Sequence, residues 1–283
     1  MKEAFTDYNP RDKTLMDIHM ANQILEQYAA QGFVLSVRQL YYQFVSRDLI
    51  PNTQQQYKRL AGIVADARKG GMIDWNYIED RGRNLDKVAT WNSPSEIVEA
   101  CVNQYRRDRW ADQPETVEVW VEKDALLGVI ERACQGLDVP FMSCRGYPSA
   151  SMIYEARNRF DGTIVLHLGD HDPSGIDATR HIRDELHLYG AYADVRRVAL
   201  TWEQVQQYDP PPNPAKETDS RFAGYTSLYG QDCWELDALE PQVIVDLIRA
   251  EVNDLLDKDI WAKTLEQEDQ EREEIRKAAE ALS

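Results

Sequence analysis

TIVLHLGDHDPSG, residues 163–175, reads as a buried strand over 163–168 running into a loop that carries Asp170 and Asp172. A continuous apolar run with a β-branched start suits a strand covered on both faces. Two carboxylates separated by one residue point the same way, and an open α/β sheet places its site at the carboxyl ends of its strands. Like charges this close repel, so a compensating charge is expected. A hard divalent cation supplies it well, because Mg²⁺ takes oxygen ligands and keeps several of its waters. Helix caps and turn carboxylates are the structural alternative, and Asp172 before Pro173-Ser174-Gly175 fits that role as well.

A third carboxylate lies upstream in TVEVWVEKDALLGVI, residues 116–130. Thr116–Val121 alternates and is rich in Val, so it reads as a strand with Glu122 at its carboxyl end. Residues 124–135 read as the helix that follows. Further strands are expected at 139–143 and 194–200, and helices at 149–160 and 176–188. Strand–helix alternation predicts an α/β fold with a parallel sheet and right-handed crossovers. His171 sits between the two aspartates and, if alternation persists, points away from them. His167 lies on the strand and is expected in the core.

Four motifs occur in order: VEKDA at 121–125, RGYPS at 145–149, GDHDPSG at 169–175 and ELDAL at 235–239. Glu at the end of one strand and Asp-x-Asp at the end of another is the arrangement of a Toprim domain. The set resembles the A subunit of topoisomerase VI and its relative, the meiotic double-strand-break protein. The resemblance runs from about residue 36 to 248, and the chain's size resembles that of the compact members called Mini-A. It implies a winged-helix DNA-binding domain over 1–110, a Toprim domain with a Rossmann-like, mainly parallel sheet over 111–240, and a C-terminal helical extension over 241–283. It also implies Mg²⁺, with Mn²⁺ as a substitute, held by Glu122, Asp170 and Asp172. Glu122 would share the metal or act as general acid on the leaving 3′ oxygen. Lys123 would pair with Asp172 or with phosphate.

The N-terminal region carries the helical half of this expectation. Residues 13–30 show a helical apolar stripe, Ser36 can cap a helix over 37–47, and Thr53 can cap Gln54–Lys69. Residues 72–78 and Asp80-Arg81-Gly82-Arg83 would form a Gly-led hairpin, which completes a winged-helix pattern. Gln54–Lys69 would then be the recognition helix, presenting Lys58, Arg59 and Arg68 to DNA. The alternative is a small helical cap on the sheet domain.

In SVRQLYY, residues 36–42, Arg38 and Tyr42 are four apart and share a helix face. In the family resembled, a winged-helix tyrosine attacks a phosphodiester and becomes joined to the 5′ end of the broken strand. The matching positions are Tyr42, as nucleophile, and Arg38, as its helper. A phenol with an ordinary pKa near 10 needs an adjacent cation or metal to act as a nucleophile. Gln39 departs from the family, where an acidic residue is common. Leu40, Tyr41, Phe44 and Val45 make an amphipathic helix on their own account, so a structural tyrosine is the competing reading.

The 283-residue chain has a formal net charge of −17, which argues against broad non-specific DNA binding but leaves room for a local basic face over 36–87. Residues 106–114 read as a linker. Residues 208–219, with four prolines, are expected to be irregular, and Lys216 and Arg221 could touch phosphate from there. Residues 241–256 read as an amphipathic helix. Residues 258–282 read as a strongly acidic helix that faces solvent or a partner. No run approaches the ~20 apolar residues of a membrane span. The N-terminus lacks a signal-peptide core, and Cys101, Cys134, Cys144 and Cys233 form no C-x-x-C pair. A reduced, cytoplasmic, nucleoid-associated protein with buried thiols is expected.

Three functions compete on these residues. The first is a type IIB topoisomerase A-like protein that cleaves double-stranded DNA. The family works as a homodimer, the tyrosine of one subunit facing the metal of the other. The chain has no P-loop motif, so ATP-driven strand passage would need a separate B-like ATPase subunit. The second is a Toprim endonuclease that hydrolyses DNA without a covalent intermediate. The third is a non-catalytic DNA-binding dimer.

Overall fold

Three helices open the chain. The computed structural model describes residues 1–78 and 88–280. Helix α1 (Asp12–Ala30) buries Ile18, Ala21, Ile24, Leu25 and Tyr28, one stripe at helical spacing. Helix α2 (Val37–Ser46) begins with a reciprocal cap: the Gln39 amide donates to Ser36 Oγ, and the Ser36 amide donates to Gln39 Oε1. Helix α3 (Gln54–Lys69) is capped by Thr53. Every residue of α2 from Gln39 to Val45 is buried, so this helix is enclosed rather than laid on a surface.

Part of the expected wing, residues 79–83, lies outside the described residues. Trp75–Tyr77 form a 3-10 turn, and among the described residues the pairing near it consists of single bridges, Leu35 with Ile78 and Ala4 with Gly70. No hairpin follows α3 among the described residues. Arg81 and Arg83, expected in that hairpin, lie outside them, as does Lys87.

After α4 (Pro94–Gln104) comes the sheet. Strand β1 (Thr116–Val121) leads through a 3-10 turn to α5 (Leu127–Cys134), then β2 (Phe141–Ser143) and α6 (Ala150–Ala156). Strand β3 (Asp161–Leu168), α7 (Pro173–Leu188) and β4 (Tyr192–Ala199) follow. The strand order is β2-β1-β3-β4, all parallel, as the alternation predicts. The β1–β3 pairing runs from Thr116↔Thr163 to Val121↔Leu168, so the carboxyl ends of the two central strands are level.

Both faces of the sheet are covered. Val119, Val121, Leu166 and Leu168 pack with Ile130 of α5 in one core. Trp120 and Val165 pack with Ile153 of α6 and Ile182 of α7 in the other. The first core continues without a break into α1, α2 and α3. The connection after β1 therefore lies on one face and the connection after β3 on the other. A crevice opens between the strand ends where the order reverses, the usual ligand position in such sheets.

The remaining chain frames that crevice. Helix α8 (Trp202–Tyr208) and helix α9 (Phe222–Tyr229), neither legible in advance, flank the proline-rich segment. That segment contains a two-residue strand, β5 (Asn213–Pro214), antiparallel to β6 (Asp232–Cys233), so it is more regular than its prolines predict. Helix α10 (Pro241–Leu255) buries Ile244, Val245, Ile248 and Val252 in the first core.

Helix α11 (Lys258–Glu280) is docked, against the expectation of a free acidic helix. It packs on α4 and on the segment read as a linker. Glu268 is only 1% exposed, and the Arg109 guanidinium holds it from two nitrogens at 2.9 and 3.2 Å. The Arg107 amide and Arg272 add further donors. Ionic pairing replaces the apolar anchors this helix lacks. Cys134 and Cys144 are buried, which pushes both thiols up to about 12, whereas Cys101 is exposed. No helix among the described residues is long and apolar enough to cross a membrane.

Burial alone would raise the Glu268 carboxyl, but Arg109, the Arg107 amide and Arg272 reverse this and hold it at about 2, below the ordinary 4.5. Its contribution to stability is therefore complete above about 4.5 and lost as pH falls towards 2. Glu268→Gln should cost about 3 kcal/mol at neutral pH, because it removes the buried anion that the half-buried Arg109 and Arg272 share. Urea unfolding at a series of pH values checks this. The gap to the parent protein should close at the acid end.

Candidate functional site

The crevice gathers carboxylates from three segments. Glu122 follows β1, Asp170 and Asp172 follow β3, and Glu235 and Asp237 come from the turn before α10. The Glu122 amide donates to the Leu168 carbonyl at 2.8 Å, which carries the β1–β3 pairing one residue beyond the strands. Glu122 Oε2 then accepts from the Asp170 amide at 3.0 Å. Two glycines permit this closeness. A Cβ at Gly169 would lie 2.8 Å from Glu122 Oε2, and one at Gly175 would lie 2.3 Å from the Asp170 carbonyl oxygen.

Three cations compensate the acids. Lys123 Nζ lies 2.8 Å from Asp170 Oδ1, 2.8 Å from Glu235 Oε2 and 2.9 Å from Asp237 Oδ1. The expected partner Asp172 is not among these. Burial would lower the Lys123 ammonium, but Asp237, Asp170 and Glu235 raise it well above an ordinary lysine. Arg38 Nη2 donates to Glu235 Oε2, and Arg38 Nε stands 3.1 Å from Asp237 Oδ2. Arg197, half-buried on β4, donates to the carbonyls of Gly169 (3.0 Å), Asp170 (2.6 Å), Gly175 (2.8 Å) and Leu200 (3.1 Å). It fixes the loop backbone; burial lowers its guanidinium, and Glu122, Asp170 and Asp172 pull it back up.

The three predicted metal ligands have distinct surroundings. Asp172 caps α7, its Oδ1 accepting from the Gly175 amide at 2.6 Å and Ser174 Oγ at 3.0 Å. The capping role is therefore real. Asp170 Oδ1 accepts from the Leu236 amide at 2.8 Å. Burial raises both the Asp170 and Glu122 carboxyls above the usual range. No three Asp, Glu, His or Cys side chains among the described residues converge closely enough to cage a metal. Even so, the donor chemistry fits a hard cation that keeps its waters. Five carboxylates face three cations, so with all five ionised two negative charges remain, the charge of one divalent ion. Glu122 Oε1, Asp170 Oδ2 and Asp172 Oδ2 accept no hydrogen bond from the described residues.

A cleft of about 690 Å³ opens above the acids, lined by Arg38, Asn52, Lys123, Asp170, Lys216 and Glu235, among others. A smaller hollow of about 270 Å³ holds Tyr41 and Tyr42 and shares Arg38, Asn52, Asn213 and Glu235 with it. The two tyrosines differ. The Tyr41 hydroxyl donates to Asn52 Oδ1 at 2.9 Å and accepts from the Thr53 amide at 2.8 Å, bracing the start of α3. Tyr42 is 3% exposed, and its hydroxyl lies 3.5 Å from Asn213 Nδ2 and beside Glu235 and Arg38. Burial, Asp237 and Glu235 raise its phenol despite Arg38.

The predicted DNA-contacting cations separate into two groups. Lys58 is exposed on α3, and Lys216 is exposed on the cleft wall. Arg59 pairs with Asp17 of α1. Arg68 donates to the carbonyls of Trp75 and Ile78 and lies over the Trp75 ring, so it braces its own region. Lys123 is half-buried and held by carboxylates instead of facing outward. Arg221 pairs with Asp177 and Asp219. His167 is buried against Thr179. His171 turns away from the aspartates into Trp202, Tyr225, Tyr229 and Trp234.

Sequence reasoning missed Arg197 and the roles of Glu235, Asp237 and Asn213. ELDAL was visible as a motif, but which cations it meets was not. No family model matches the chain, and no curated protein matches it.

Removing the two tyrosine hydroxyls should have unequal effects on stability. Tyr41→Phe should cost about 1–2 kcal/mol, because it leaves the Thr53 amide and Asn52 Oδ1 unpaired. Tyr42→Phe should cost less, about 1 kcal/mol or below, since Glu235 keeps Arg38 and Lys123 as partners when the hydroxyl is gone and the bond to Asn213 is long. Thermal unfolding of both variants tests the difference, and equal losses would contradict the assignment of Tyr41 as the structural one.

Proposed function

We propose that the chain is a Mg²⁺-dependent DNA-cleaving protein of the topoisomerase VI A type, with a Toprim-like sheet domain and Tyr42 as nucleophile. The observation that carries this reading is one continuous chain of contacts. It runs from Tyr42 through Arg38, Glu235 and Lys123 to Asp170, and so joins a phenol to an acidic strand-end cluster. Glu122, Asp170 and Asp172 would hold the cation, which neutralises charge on the phosphate when bound. Tyr42 Oη forms the bond to phosphorus as the bond from phosphorus to the 3′ oxygen breaks. The phenol proton leaves to solvent. Where Glu122 does not share the cation, its burial favours the protonated form and it gives a proton to the 3′ oxygen. Arg38 steadies the phosphate's charge.

A second reading has a specific observation behind it. Tyr42 is buried and its phenol is raised, which suits a structural tyrosine in a hydrolytic nuclease using the same carboxylates. End-labelled duplex DNA incubated with Mg²⁺ or Mn²⁺ and stopped with SDS separates the two. Label retained on the parent protein and lost in Tyr42→Phe supports the tyrosyl intermediate. Free cleaved product that persists in Tyr42→Phe means hydrolysis.

The proposal includes a homodimer on double-stranded DNA and a separate B-like ATPase subunit for any strand passage. In the family resembled, the tyrosine acts across the dimer. Here one chain brings its own Tyr42 and its own acids to adjoining parts of one cleft. Mixing Tyr42→Phe with Glu122→Ala protein should therefore leave cleavage absent. Recovered cleavage would place the tyrosine of one chain opposite the acids of another.

A further inference from the structure

We propose that Glu235 occupies the binding position of a substrate phosphate and gives way when the phosphate arrives. This rests on reading the cleft as a phosphodiester site. The Arg38 guanidinium and the Lys123 ammonium converge on a single atom, Glu235 Oε2, with Lys123 Nζ at 2.8 Å. A carboxylate oxygen and a phosphodiester oxygen carry the same kind of charge and accept the same donors. The two cations thus form an anion site that the chain fills with its own side chain.

The other anions around these cations are fixed. Asp237 is 2% exposed and lies against both Lys123 and Arg38. Asp170 is tied to the Leu236 amide. The Glu235 side chain is 22% exposed, lines the cleft and makes no cap to the turn that follows it. Its partners are the two cations and the Tyr42 hydroxyl. It also has the longer, freer side chain of the three acids on Lys123.

Charge favours exchange over addition. A phosphate entering beside Glu235 would add a negative charge to a cleft that already has five carboxylates against three cations. A phosphate replacing Glu235 at Arg38 and Lys123 leaves that local balance unchanged. The same exchange uncovers the Tyr42 hydroxyl, which Glu235 neighbours in the free protein. The tyrosine is then uncovered only when a phosphate is seated.

The test measures binding without divalent metal, using inorganic phosphate and a short duplex DNA as separate probes. Glu235→Gln and Glu235→Ala should both bind inorganic phosphate at least about tenfold more tightly than the parent, since a nearby like charge is gone. Adding Arg38→Gln to either should abolish the gain. Unchanged or weaker phosphate binding in both folded variants overturns the proposal. If phosphate binding tightens while no protein binds the duplex, exchange at Glu235 stands and the DNA reading falls.

Discussion

Lys123 Nζ touches carboxylates from the loop after β3 and from the turn before α10 while its own backbone follows β1. A buried ammonium without partners would be costly, and so would three carboxylates sharing a small volume. Neither half is tolerable without the other. The pairing therefore does more than add a salt bridge. It obliges the ELDAL turn to close over the sheet's crevice, and Arg38 extends the same obligation to α2. The N-terminal helices and the sheet share one apolar core, but the polar network sets the register between them at the cleft.

Arg197 performs the complementary task below the loop. Its guanidinium is used on backbone carbonyls, so it does not neutralise a carboxylate by direct pairing. The loop's acids consequently keep oxygens available at the cleft, while a positive charge beneath them offsets their repulsion. Gly169 and Gly175 make the same compromise sterically, letting Glu122 and the Asp170 carbonyl approach closer than any side chain would allow. The outcome is a set of acids held close by backbone and buried cations, with one side left to a ligand.

How much of this was readable in advance depends on the range of the interaction. The strands, the helices around them and the caps at Ser36 and Thr53 follow from patterns a few residues long, and β1 and α3 agree with their expected bounds. The strand-end position of Glu122, Asp170 and Asp172 was legible for the same reason. The contacts that complete the site were not. Arg38 meets Glu235 across 197 residues and Lys123 meets it across 112, and no local spacing encodes such pairs. Arg197 left only a faint mark, a charge inside an otherwise strand-like run. Helix α11 misled because its charges look solvated until Arg107 and Arg109 are seen to lie opposite them.

The tyrosine gains its meaning from the same balance. Beside Glu235 and Asp237 the phenol is held neutral, and burial adds to that. Arg38 pulls the other way but spends its charge on the two acids. Were the anion on Arg38 a phosphate instead of Glu235, the guanidinium would serve attacking group and target together, and the acid that keeps the phenol protonated would have moved off. A group that is inert in the free protein would become reactive by exchange of one anion for another, without any shift in the sheet that positions the remaining acids.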